Sequence, residues 1–169
     1  AFDVVILASD AIDKLLTAGR VVAGSRVDLV HSGVAVAVRA EAPRPDIGSE
    51  AAVRDAVRAA RSVSYSTGPG GVALAKLFER WGLAEELKAR LVTPPPGVPV
   101  GALVASGEVE LGFQQRSELI HLQGIDVVGD LPEAIRIDTI FSAGICTAAT
   151  QSAAARALLA FMASPETRS

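Results

Sequence analysis

The sequence is short of the residues that most chemistry needs. It holds one cysteine, Cys146, so no internal disulfide can form. In the apolar run "FSAGICTAA" that cysteine reads as a small core residue rather than a nucleophile. The two histidines, His31 and His121, lie far from each other and from Cys146, and no zinc-type spacing results. Aromatic residues make up 4% of the 169 positions, so the basic residues have no stacking platform beside them, and the net charge of −3 gives no electrostatic case for nucleic acid. No apolar run approaches the roughly 20 residues of a membrane span. What is plentiful is small aliphatic mass: half of the residues are apolar, enough for a core of Ala, Val, Leu and Ile.

Strand-like and helix-like patterns alternate along the chain. Phe2–Leu7 reads as a buried strand, followed by a helix capped by Asp10 with Ile12, Leu15 and Leu16 on its inner face and Gly19 as its stop. A long β-type run covers 27–39. Ser49 caps a helix in which Val53, Ala56, Val57 and Ala60 recur at helical spacing. A short strand at Ser62–Ser66 leads through "TGPGG" to a helix striped by Leu74, Leu77, Phe78 and Trp81. "ARLVTPPPG" reads as a short strand, "VPVGALVASG" as a helix with Pro99 in its first turn, and "EVELGFQQ" as a strand with Val109, Leu111 and Phe113 on one face. A second long β run near 135–147 precedes a last helix with Ala155, Leu158, Leu159 and Met162 inside. This alternation predicts an α/β fold with mainly parallel sheets. The two long β runs bracket a self-contained block, as when a chain crosses from one lobe to another and returns. The expected division is 1–39 plus 138–169 for one lobe and 40–137 for the other.

The glycine-rich loop carries the most specific question. Gly68, Gly70 and Ala73 formally match a dinucleotide fingerprint, but the acidic residue due at the end of the next strand is replaced by prolines. No Gly-Lys-Ser/Thr follows, so a P-loop is excluded. Two readings remain. Gly70, Gly71 and the N–H of Val72, with the Ser66 and Thr67 hydroxyls nearby, suit an anion cradle at a helix N-terminus. A tight strand-to-helix turn needs the same glycines for geometry alone. Gln114 and Gln115, at the end of a buried strand, are neutral multi-donor groups that suit an oxygen-rich ligand, and an exposed polar loop explains them equally. No acid/base set converges: neither histidine has a paired Ser or Cys, and Tyr65 has no lysine four residues on. The expectation is a non-enzyme without a cofactor.

The order of pieces resembles the type 2 periplasmic solute-binding proteins, in the molybdate-binding branch that serves ABC importers. The segments that carry this are "FDVVIL…DAIDKLLTAGRVV", "GVAVAVRAEAPRPDI", "VSYSTGPGGVALAKLFERWGL", "GALVASGEVELGFQQRSEL" and "VVGDLPEAIRIDTIFSAGI", together covering about residues 2–165. The resemblance implies a two-lobed "Venus flytrap" that closes on a small oxyanion, or another small polar solute, in the cleft between lobes. It implies delivery of that solute to ABC membrane subunits in the periplasm. The ligand residues it implies in this chain are Gly70, Pro99 or Val100, and Gln115, to which the cradle reading above adds Ser66, Thr67 and Gly71. Pro99 has no N–H to donate, so that contact is either lost or moved to Val100, and Gln115 stands where the molybdate binders carry a tyrosine hydroxyl. The family has a further strand–helix–strand–helix unit before "FDVVIL". The first lobe is therefore expected to be incomplete, either because the sequence is a truncated product or with its edge covered by a homodimer or swapped oligomer, and the isolated chain is expected to bind oxyanions weakly or not at all. The alternative function is the ligand-sensing effector domain of a transcription regulator.

Overall fold

In the computed structural model, which describes residues 2–167, the first elements are β1 (Val4–Ala8), α1 (Ser9–Thr17), β2 (Val27–Arg39), α2 (Glu50–Ala59) and β3 (Val63–Tyr65). Then come α3 (Pro69–Arg80), α4 (Ala84–Leu87), α5 (Val100–Ser106), β4 (Leu111–Gln115) and α6 (Arg116–Leu119). The chain ends with β5 (Ile125–Asp130), a 3-10 turn at Glu133–Ile135, β6 (Asp138–Ile145), α7 (Ser152–Met162) and a second 3-10 turn at Pro165–Thr167. Two compact units result, one from Ala1–His31 with Thr139–Ser169 and the other from Ser32–Asp138. Residues 32–39 thus go with the middle block rather than with the chain ends. The cause is pairing: Val34–Ala37 lie against β4 and Ala35–Arg39 against β5.

In the unit formed by the chain ends, β1 runs antiparallel to β6, with Val4 opposite Ile145 and Ala8 opposite Phe141. The strand order there is β1-β6-β2. α7 buries Ala155 and Leu159 against Ala143, Ile145, Val4, Val27 and Leu29. Its N-terminus is held by Asp3, whose carboxylate accepts the Thr150 and Gln151 N–H groups at 2.6 and 3.0 Å. These backbone hydrogen bonds, that from Gln151 the stronger influence, hold the Asp3 carboxyl below its usual value. α1 opens with Ala8 as its cap rather than Asp10, which sits in the first turn and favours the helix's positive end by its charge. Ile12 is fully buried, and Gly19 ends the helix at φ +66°.

In the middle unit, β2 runs antiparallel to both β4 and β5, while β3 runs parallel to β4. The expected mainly parallel sheets are therefore corrected to mixed ones. Among the described residues the strand pairings are antiparallel for β1–β6, β2–β4 and β2–β5. A parallel pair needs a crossover that returns the chain to the same end, as the helical stretch between β3 and β4 does. "RLVTPPP" yields a single bridge from Leu91 to Val63 rather than a strand, because the proline run has no N–H to extend the ladder.

The helices cover this sheet in the way their stripes dictate. Val53 and Val57 of α2 and Leu74, Leu77 and Phe78 of α3 join Val34, Val36, Val38, Leu111 and Phe113 in one core. Ser49 starts α2 by accepting the Ala52 N–H at 3.1 Å. Phe78 meets Phe113 and Tyr65 edge to face, both at 5.8 Å between ring centres. α5 packs elsewhere, its Val100 and Val104 against Gly112, where a side chain would come within 2.5 Å of Val104. Pro99 caps α5 and Gly107 ends it at φ +81°.

Candidate functional site

β3 and β4 are parallel, so both deliver their C-terminal residues to the same end of the middle unit, where α3 begins. Gly68 is the N-cap of α3 and Pro69 its first residue, and no side chain caps the helix. The positive end of the macrodipole therefore points out over the strand ends. Gly71 is forced by closeness: a Cβ there would stand 1.5 Å from the Ser66 carbonyl oxygen and 3.2 Å from the Tyr65 ring. The turn reading of the glycines thus holds for Gly71. Val72 takes no part in a cradle, because its N–H donates to the Gly68 carbonyl at 3.0 Å.

Strand alternation separates the two glutamines. Leu111, Phe113 and Gln115 point toward α3, and Gly112 and Gln114 toward α5. Both glutamines are buried. Gln114 is a structural connector: its carbonyl oxygen accepts the Gly101 N–H at 3.2 Å, and its amide donates to the Glu118 carboxylate. Gln115 instead lies beside the start of α3. A Cβ on Gly70 would be 3.2 Å from the Gln115 Nε2 and 2.9 Å from the Val34 Cγ2. The structure thus brings Gly70 and Gln115 together and sets Ser66, half-buried, and Thr67, exposed, in the same strand-to-helix turn. Pro99 and Val100 belong to the opposite face of the sheet, with Gln114.

Two further polar residues were not marked by any local motif. Ser32 precedes Val34 on the same face of β2, and its hydroxyl lies 3.0 Å from that of Ser117. In the antiparallel register Val34 stands opposite Gln115, so this pair continues the row one step on. Eighty-five positions separate the two serines, and only the pairing of β2 with β4 reveals them. Tyr65, next to Gly71, turns its ring toward Phe78, and burial, with Glu79 second, pushes its phenol above the usual value. The corner is therefore built of neutral donors and a helix N-terminus, an arrangement that accommodates anionic oxygen.

The whole chain, residues 1–169, matches the family model for bacterial extracellular solute-binding proteins. The chain belongs to that family. It is 44% identical over 167 residues to a Pseudomonas protein named aconitate isomerase, covering 97% of this chain and 63% of that one. It is 30% identical over 172 residues to the molybdate-binding protein ModA of Azotobacter vinelandii, covering 98% and 66%. Among solved structures, the Azotobacter vinelandii periplasmic molybdate-binding protein superposes with a TM-score of 0.74 at 22% identity, over 98% of this chain and 73% of that one. The fold is that of the periplasmic binding proteins, and the chain spans slightly under two thirds of the length of the two relatives it matches by sequence.

The expectation that the chain is not an enzyme is overturned by the first of these relatives, which carries an enzyme's name. A binding-protein fold does not fix function, which resides in the site grafted on it.

Proposed function

We propose that the protein carrying this chain binds aconitate, or a close small polycarboxylate, and interconverts its isomers outside the cytoplasm. The observation that supports this is the 44% identity to an aconitate isomerase, against 30% to a molybdate binder. The ligand residues in this chain are Gly70 and Gln115, with Ser66 and Thr67 at the turn. α3 supplies partial positive charge and backbone donors, and Gln115 supplies a neutral carboxamide whose geometry is fixed by burial. Neutral donors hold a carboxylate without burying a cation beside it, which leaves the bound ligand free to depart.

A second reading comes from the family itself: capture of a small anion, molybdate included, in the periplasm for transfer to the membrane subunits of an ABC importer. The 30% relative and the family match support it. Both readings share the binding step and differ in the fate of the bound ligand. Proton NMR of cis-aconitate incubated with the protein separates them. Accumulation of the trans isomer at a rate proportional to protein concentration is the expected result. Saturable binding of aconitate with no conversion sinks the isomerase reading and leaves the transport one. Calorimetric binding of molybdate with no response to any carboxylate sinks the choice of ligand.

A further inference from the structure

We infer that the Ser32–Ser117 hydroxyl pair is a second anion subsite, taking a carboxylate of the same ligand whose other end lies at Gly70 and Gln115. This rests on the polycarboxylate reading above and extends it to residues that nothing else assigns.

The first argument is position. Ser32 lies two residues from Val34 along one face of β2, and Val34 touches the space at Gly70. One strand step of two residues is about 7 Å. A small tricarboxylate can reach from one position to the other, and a single tetrahedral oxyanion cannot. The second argument is hydrogen-bond capacity. Each hydroxyl has one donor and two lone pairs. The 3.0 Å contact between Ser32 Oγ and Ser117 Oγ consumes one donor and one lone pair. One O–H remains for a ligand, whichever serine donates within the pair. The third argument is burial. Ser32 is 6% exposed whereas Ser117 is exposed. The pair therefore has a fixed inner member and an accessible outer one, as a subsite open on one side requires. Cation recruitment is not needed, because Arg116, the nearest cation in sequence, is engaged with Asp130 at 3.2 Å.

The test is calorimetric titration of the protein made from its complete reading frame with trans-aconitate, and with acetate as a ligand carrying one carboxylate. Ser32→Ala and Ser117→Ala are each expected to weaken aconitate binding about tenfold. Ser32→Thr, which keeps the hydroxyl, is expected to stay within about threefold, and acetate binding to be unchanged in all three. Ser117 is exposed, so its variant reports on the ligand even where Ser32→Ala lowers the melting temperature. Unchanged aconitate affinity in both alanine variants overturns the subsite while leaving the ligand reading intact. A wild-type protein that ignores aconitate but binds another di- or tricarboxylate with the same serine dependence overturns the ligand identity and supports the subsite.

Discussion

Gly70 and Gln115 are packed so closely that a single methyl group on residue 70 would stand 3.2 Å from the Gln115 Nε2 and 2.9 Å from the Val34 Cγ2. Val34 is β-branched and buried, so it cannot swing away to make room. Gly70→Ala is therefore expected to cost about 1–3 kcal/mol of stability and to displace the Gln115 carboxamide. Ligand affinity should fall about tenfold, the value of one well-placed hydrogen bond. Gln115→Leu should lose a similar affinity with a smaller change in melting temperature. Calorimetry with thermal melts checks both. Full affinity in Gly70→Ala would show that the carboxamide does not face the ligand.

Neighbouring glycines in the same loop are expected to behave very differently. A Cβ on Gly71 would fall 1.5 Å from the Ser66 backbone oxygen, a clash only a backbone shift relieves. At Gly68 nothing lies within 4 Å, and φ is −78°, which any residue adopts. Gly71→Ala should cost about 3 kcal/mol or more, against less than about 1 kcal/mol for Gly68→Ala at the N-cap. Urea unfolding of the two variants side by side measures the difference. Equal midpoints would mean that the β3–α3 turn is not held as tightly as the Ser66–Gly71 approach requires.

Much of this architecture was legible because it is written at short range. The α3 stripe of Leu74, Leu77 and Phe78, the Ser49 cap and the Pro99-to-Gly107 span of α5 each follow from a local period or a local backbone constraint. Strand direction is not local: β2 pairs with β4 and β5 across many intervening residues, and nothing in its own pattern says which way its neighbours run. The split between the two glutamines was within reach. Gln115 shares its parity with Leu111 and Phe113, so its face was readable from "LGFQQ" once that strand was drawn. Ser32 and Ser117 were beyond reach, since their meeting depends on a register that only the folded sheet supplies.

Gln114, by contrast with its neighbour, should matter for stability and hardly for ligand. Its carbonyl is the acceptor of the Gly101 N–H inside the α5 interface, and its amide holds Glu118. Gln114→Leu strands the buried Gly101 N–H, at a cost of about 1–3 kcal/mol. Ligand affinity in the folded variant should stay within about twofold, since the side chain points to the α5 face. Denaturant unfolding and titration on the same preparation give both numbers. A tenfold loss of affinity without loss of stability would move Gln114 into the binding site.

Asp3 should make the unit built from the chain ends sensitive to acid. Its carboxylate accepts the Gln151 and Thr150 N–H groups at the start of α7, and those bonds hold its pKa below the ordinary value. Because the folded-state pKa is the lower one, its contribution is fully present above the unfolded carboxylate value, near 4. As pH falls through that value toward the native pKa, the unfolded chain takes up the proton first and the contribution is lost. Asp3→Asn should thus be less stable than the wild type at neutral pH, and the gap should narrow as pH falls below about 4. Amide exchange at Thr150 and Gln151 should quicken in the variant at pH 7, while exchange in the middle unit stays unchanged. Melting curves that differ by the same amount at pH 7 and at pH 3 would mean that the α7 cap does not depend on the Asp3 charge.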